Sequence, residues 1–285
     1  MFTTLITCTE LQALQQSAAP LLIVDCTADL MNPAAGLQQF LDAHIPGAIH
    51  ADLDHDLSAH GTADAASGGR HSLPRREVLA QWLRQIGLRT DTQVVVYDRN
   101  GLNFCGRLWW MLKWAGHEAV AVLDGGLAAW TAAGGAVESG PAIPRTPSNW
   151  TLQSPLRTLV SADEVLAHLD QPDQTLIDAR AAPRYRGEVE PLDPVAGHIP
   201  GALNRPFGLN LDEQGRFKTA ATLRTEFDAL LAGRDPASVV HQCGSGVSAL
   251  PNLLAMEVAG FAPTRLFAGS WSEWCRDPSR PVAKG

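Results

Sequence analysis

The chain repeats itself, and no other feature limits its fold as strongly. His44-Ile45-Pro46-Gly47-Ala48-Ile49 recurs as His198-Ile199-Pro200-Gly201-Ala202-Leu203. Ahead of each stands an apolar run ending in aspartate, Leu21-Leu22-Ile23-Val24-Asp25 and Leu176-Ile177-Asp178. Behind each comes a second such run, Val94-Val95-Val96-Tyr97-Asp98 and Val239-Val240-His241-Gln242-Cys243. A Trp-containing segment closes each set, Asp124-Gly125-Gly126-Leu127-Ala128-Ala129-Trp130 and Ala268-Gly269-Ser270-Trp271-Ser272-Glu273-Trp274. Matches in the same order are the signature of duplicated structural units. A chain of 285 residues has room for two such units, each with its own core.

Between the repeats, residues 131–157 carry Gly134-Gly135, Pro141, Pro144, Pro147 and Pro155 with little periodicity, which is linker composition. The expected organisation is a first domain over 1–140, a linker over 141–157 and a second domain over 158–285. Within each half, short Val/Ile/Leu runs alternate with helical patterns at 75–86, 107–115, 159–169 and 249–259. Ser72-Leu73-Pro74 offers a cap and an early proline for the first of these. Near-continuous apolar strands separated by helices predict α/β domains, each a mostly parallel sheet with helices on both faces. Ligands in such sheets bind beyond the carboxyl ends of the strands.

The formal net charge of −8 argues against a nucleic-acid partner, which selects a basic face, while leaving room for a local basic pocket. The five cysteines are odd in number, widely spaced and free of any C-x-x-C pair, so neither a disulfide framework nor a zinc site is expected. No metal or cofactor is expected. No leader-like or membrane-spanning run occurs, so the chain reads as a cytoplasmic protein that does not enter a membrane. A monomer is expected.

Cys243 lies between an apolar run and a helical pattern and is followed by Gly244-Ser245-Gly246-Val247-Ser248. A loop of this kind can turn successive backbone N–H groups inward, and the helix start adds its positive end. Both favour thiolate over thiol, the reactive form. The alternative is a buried cysteine in a tight turn. The matching place in the first half is Asp98, followed by a longer loop, so only the second half carries the nucleophile. Cys105, at the start of a Trp-rich helical pattern, reads as packing.

These segments together resemble the two-domain rhodanese-like sulfurtransferases, most closely the mercaptopyruvate sulfurtransferases, over nearly the whole chain. Asp178-Ala179-Arg180, Arg184-Tyr185-Arg186-Gly187 and Gly197-His198-Ile199-Pro200-Gly201-Ala202-Leu203-Asn204 carry the likeness alongside the cysteine loop. The resemblance implies that Cys243 takes sulfur from a small anionic donor as a persulfide, releases pyruvate, and passes the sulfur to a thiol such as thioredoxin or to cyanide. It implies a proton-handling set of Ser245, His71 and Asp54, with Asp52 and Asp56 as rivals of Asp54. It implies substrate binding by Arg184 and by the loop residues Gly244, Gly246, Val247 and Ser248. Arg180 and Arg186 read as partners of Asp178, Glu188 or Glu190.

Leu192 departs from that pattern, standing where mercaptopyruvate enzymes commonly place a second arginine; Arg107 and Arg99 are candidate substitutes. His198, repeated as His44 in the half without the cysteine, reads as structural, closing a loop with Asp178 or Asp25. The tryptophans read as packing, with Trp271 and Trp274 bordering the cleft. Alternatives remain. One is a thiosulfate:cyanide sulfurtransferase, although basic residues usual after that cysteine are replaced here by Gly244 and Ser245. Another is a persulfide carrier without turnover. A cysteine phosphatase would want an arginine shortly after the cysteine, and residues 244–249 have none.

Overall fold

The computed structural model describes residues 1–59 and 61–285. The chain divides into two compact units, one of residues 1–64, 74–156 and 213–216, the other of residues 65–73, 157–212 and 217–285. The segment 65–73, read in sequence as part of the first repeat, therefore packs with the second unit.

The first unit contains β1 (Leu5–Ile6), α1 (Cys8–Gln16), β2 (Leu21–Asp25), α2 (Ala34–Asp42), β3 (Ile49–His50), α3 (Arg76–Gln85), β4 (Gln93–Tyr97), α4 (Cys105–Trp114), β5 (Val120–Leu123) and α5 (Gly126–Ala132). The second contains β6 (Thr158–Leu159), α6 (Ala162–Ala167), β7 (Thr175–Asp178), α7 (Ala182–Tyr185), β8 (Leu203–Asn204), α8 (Ala220–Leu231), β9 (Val239–Gln242), α9 (Leu250–Val258), β10 (Arg265–Leu266) and α10 (Ser270–Trp274). Each unit forms a five-stranded sheet, in the orders β1-β5-β4-β2-β3 and β6-β10-β9-β7-β8. Every pairing within them is parallel. The two halves thus share one strand order, and each is an α/β sheet flanked by helices.

The middle strands follow from their composition. All of β4 and β9 is buried, as the near-continuous apolar runs require of strands covered on both faces. The outermost strands are two residues long, which keeps the exposed edges short. Register places Asp178 beside Gln242 and Leu266 beside His241, so β9 delivers Cys243 beyond the carboxyl end of the sheet's centre.

Helix starts repeat as well. Thr7 with Glu10 and Ser161 with Glu164 form matching capping boxes for α1 and α6. The expected cap of α3 is corrected: the helix begins at Arg76 after Arg75, with no side-chain cap. The Ser72 hydroxyl donates instead to the Gly69 carbonyl, 3.0 Å away, and so serves the preceding loop. All ten residues of α4 are buried, Trp109, Trp110 and Trp114 included. In the second unit Trp271 and Trp274 belong to the core with Val165, Val240 and Phe267, so they are not cleft borders. The Trp271 indole N–H donates to the Val195 carbonyl at 2.8 Å.

The paired histidines are structural, with other partners than the aspartates expected. His44 stacks on Phe40, and its Nδ1 lies 2.8 Å from that residue's carbonyl. His198 stacks on Tyr185 in the same way, with Nδ1 2.8 Å from the Tyr185 carbonyl. Neither imidazole reaches for Asp25 or Asp178 because a local aromatic ring and carbonyl already hold it.

Candidate active site

The loop from β9 to α9 is shaped by its glycines and anchored by α10. Gly246 has φ +75°, a conformation that glycine adopts without a Cβ penalty. Its absent side chain leaves space for the Ala268 carbonyl, which a Cβ would approach to 2.1 Å. The Cys243 carbonyl accepts from the Trp271 N–H at 3.0 Å, and the Gly244 carbonyl from the Ser272 N–H at 2.8 Å. The Cys243 N–H donates to the Ser270 hydroxyl at 3.1 Å, and that hydroxyl donates to the Phe267 carbonyl at 3.0 Å. Ser270 holds φ +55°, a left-handed conformation unusual for a side-chain-bearing residue. The hydroxyl that orients the cysteine is obtained at that conformational cost.

Cys243 itself is 1% exposed. Among the described residues, the N–H groups of Gly244, Ser245, Val247 and Ser248 donate to no acceptor. Unspent amides gathered in one loop in this way form an anion-attracting concavity. Helix α9 begins without a side-chain cap and contributes its positive end.

Ser245 and His71 are brought together, with Oγ and Nδ1 2.8 Å apart and both residues buried. His71 reaches the loop because segment 65–73 belongs to this unit. The segment is pinned there by the Gly68 N–H donating to Glu273 at 3.2 Å and the Arg70 N–H donating to the Ser272 hydroxyl at 3.0 Å. Gly69 lies so close that a Cβ would meet the Gly269 carbonyl at 2.5 Å. Asp54 belongs to the first unit, where it is exposed and its N–H donates to the Asp52 carboxylate.

Arg184, from α7, stands over the same loop. Its Nη2 donates to Glu190 at 2.6 Å and lies 3.4 Å from Asp193, while its Nε lies 3.3 Å from Glu190. A Cβ built on Gly244 would be 3.4 Å from Arg184 Nη1 and 3.7 Å from Arg70 Nη2. Arg180 is buried behind, bonded to both oxygens of Asp178 and to the Gly197 carbonyl, with Glu190 at 3.4 Å and its guanidinium 4.8 Å from the Trp271 ring. Desolvation lowers its pKa, but the charges of Asp178, Glu190 and Cys243 more than offset that and hold it above the usual arginine value. Arg186 pairs with Glu188 at the surface. Arg107 and Arg99 are not available as substitutes for an arginine at Leu192. The first is buried and donates to the Leu57 carbonyl; the second donates to the carbonyls of Gln39 and Ala43 and lies 3.8 Å from Asp25. Among the described residues, no three His, Cys, Asp or Glu side chains are grouped to hold a metal ion.

A family profile described as "Rhodanese-like domain" matches residues 7–133 and again 161–277. The chain belongs to the rhodanese family. A probable 3-mercaptopyruvate sulfurtransferase from Pseudomonas aeruginosa is 48% identical over 274 residues, 96% of this chain and 95% of that protein. A putative thiosulfate sulfurtransferase, SseB, from Mycobacterium tuberculosis is 41% identical over 288 residues, covering 99% and 97%. The crystal structure of the 3-mercaptopyruvate sulfurtransferase SseA from Escherichia coli matches with a TM-score of 0.78 at 33% identity, over 95% of this chain and all of that one.

The first rhodanese unit shows what the loop becomes without its cysteine. The Asp98 carboxylate accepts four backbone N–H groups, from Asn100 and Leu102 on one oxygen and Phe104 and Cys105 on the other, at 2.8–3.0 Å. The anion-binding geometry persists there with an anion of the chain's own inside it. Burial, then the Asp98 charge, pushes the Cys105 thiol well above its ordinary range, in keeping with a packing role. Sequence reading missed Arg70, Glu190 and Asp193 as parts of the rhodanese site, and missed Ser270 and Ser272 as its anchors. The signal for the serines was present in the repeat, since Ser270 stands where the first half has Gly126. No local pattern marked Arg70.

Proposed function

We propose that the protein is a 3-mercaptopyruvate:thiol sulfurtransferase that works through a persulfide on Cys243. The thiolate attacks the donor's sulfur, and the carbon–sulfur bond breaks. Its electron pair leaves on the three-carbon fragment as the enolate of pyruvate, which takes up a proton. The donor's own thiol proton stays on the new persulfide or passes to His71. A thiol acceptor such as thioredoxin, or cyanide, then removes the outer sulfur and restores the cysteine. Splitting the transfer in two is covalent catalysis. The amides of Gly244, Ser245, Val247 and Ser248 stabilise the persulfide and the developing charge.

The observation that carries this reading is the 2.8 Å contact between His71 and Ser245, two residues from the cysteine. An enolate needs a proton to leave as pyruvate; sulfite, the leaving group of thiosulfate, is a stable anion and needs none. A buried Ser–His pair is therefore suited to the keto-acid donor. In this reading Asp54 fixes the histidine tautomer, Ser245 relays the proton, and Arg184 binds the donor's carboxylate. Gly244, Gly246, Val247 and Ser248 line the donor. Residues 158–285, with segment 65–73 and Asp54, carry the chemistry; residues 1–140 otherwise form a non-catalytic domain, joined through 141–157. No helix among the described residues is long and apolar enough to cross a membrane. A cytoplasmic monomer with a small donor and a thiol acceptor completes the proposal.

The named relatives divide between the two donors, so the donor is what must be measured. Purified protein assayed with 3-mercaptopyruvate and with thiosulfate, cyanide as acceptor in both, is expected to favour the keto acid by more than tenfold in kcat/KM. A preference for thiosulfate overturns the substrate assignment.

A further inference from the structure

Glu273, partly buried on α10, makes a contact that its counterpart in the first repeat cannot make. Its Oε2 accepts the Gly68 N–H at 3.2 Å, across 205 positions of sequence. The carboxylate rests where two glycines have no side chain. A Cβ on Gly68 would lie 2.5 Å from Cδ and 2.7 Å from Oε1 of Glu273, and a Cβ on Gly269 would coincide with Oε2. Neither glycine is needed for its backbone angles: Gly269 has φ −61°, and Gly68 lies outside the left-handed region. Both are there for room alone. In the first repeat Gly125 and Ala129 stand in the places of Gly269 and Glu273. Gly125 has φ +80°, so that glycine serves the backbone, and the Ala129 side chain offers no acceptor. The repeat without the nucleophile thus lacks the carboxylate as well.

The contacts close into a ring. Gly68 is tied to Glu273, and α10 is tied to the cysteine loop by the Ser272 N–H, which donates to the Gly244 carbonyl. Ser245 of that loop meets His71, three residues beyond Gly68. We infer that Glu273 is a positioning residue that latches segment 65–73 onto α10 and so keeps His71 within hydrogen-bond reach of Ser245. Its effect on the reaction runs through His71, and the inference rests on the proton-handling role proposed above for that histidine.

The test joins hydrogen exchange read by mass spectrometry to steady-state kinetics, on Glu273→Ala, Glu273→Gln and Gly68→Ala. A hydrogen bond to a charged acceptor corresponds to about 10–100-fold in an equilibrium constant. In Glu273→Ala the amides of segment 65–73 should exchange faster by that factor, while those of β9 and α9 keep their native rates. The kcat for 3-mercaptopyruvate should fall by at least about threefold. Glutamine keeps the acceptor oxygen and should bring both quantities to within about twofold of native. Gly68→Ala, whose methyl displaces the carboxylate, should impair the native protein in the same way and add nothing to Glu273→Ala. Native exchange in segment 65–73 of Glu273→Ala overturns the inference. So does faster exchange spread equally over β9 and α9, a glutamine variant as impaired as alanine, an unchanged kcat, or additive effects of the two alanines. Absence of pyruvate release by the native protein overturns the proposed function instead, and the exchange rates then decide the latch by themselves.

Discussion

Gly246→Ala and Gly244→Ala, two residues apart in one loop, should have opposite effects. At Gly246 the added methyl meets the Ala268 carbonyl oxygen at 2.1 Å and its carbon at 2.9 Å, so backbone must move by about 1 Å. The φ of +75° adds the left-handed penalty of a Cβ, about 1–2 kcal/mol. Overpacking of this kind costs about 1–3 kcal/mol, giving about 2–5 kcal/mol in all. At Gly244 the nearest atoms are the ends of flexible arginines, at 3.4 Å and beyond. Stability there should change by less than about 1 kcal/mol, whereas the methyl faces the Arg184 guanidinium from 3.4 Å, on the side proposed to bind the donor, and should raise KM for it. Urea unfolding followed by tryptophan fluorescence measures the first quantity and steady-state kinetics the second. Equal destabilisation of both variants, or a Gly246→Ala protein as stable as the native one, would refute the account of how this loop is packed.

Two further outcomes concern groups outside the reaction. Asp98→Asn puts an amide NH2 against two N–H donors that now share a carboxylate oxygen. With hydrogen bonds to charged groups worth about 1.5–3 kcal/mol each, the variant should lose about 3–6 kcal/mol in urea unfolding; a loss below about 1 kcal/mol would contradict the internal-anion reading. His241 is wholly buried on β9, and desolvation, aided by the Arg205 charge, depresses its pKa to about 3. The unfolded imidazole takes a proton below about pH 6.5 while the folded one stays neutral, so stability falls as pH drops from about 6.5 toward 3, by up to about 1.4 kcal/mol per pH unit. His241→Leu should flatten that acid limb relative to the native protein, and parallel stability curves from pH 8 to 4 would exclude the assignment.

The parts of the fold that were legible are those written locally. β2, β4, β7 and β9 coincide with apolar runs because strands buried on both faces have no alternative composition. The cysteine loop was legible because a turn that presents free amides needs glycine at a left-handed position. The two-residue edge strands left no pattern, since so short a run carries no periodicity. Ser72 and Pro74 suggested a helix start, yet Ser72 was already engaged by Gly69. Arg107 and Arg99 were plausible cations that prove committed to carbonyls of their own unit. Arg70 was illegible for the converse reason: its position depends on Ser272 and Asp193, far away in sequence, and on a segment that packs with the half to which it does not belong in order.

Intact-mass spectrometry of the protein treated with 3-mercaptopyruvate, beside its Cys243→Ala variant, tests sulfur transfer through this cysteine most directly. The native chain should gain about 32 Da, the mass of one sulfur atom, and release one equivalent of pyruvate. It should lose that mass again on adding cyanide or a thiol, and the variant should gain nothing. An adduct that persists without Cys243, or pyruvate released with no adduct on the native chain in the absence of an acceptor, would contradict the account.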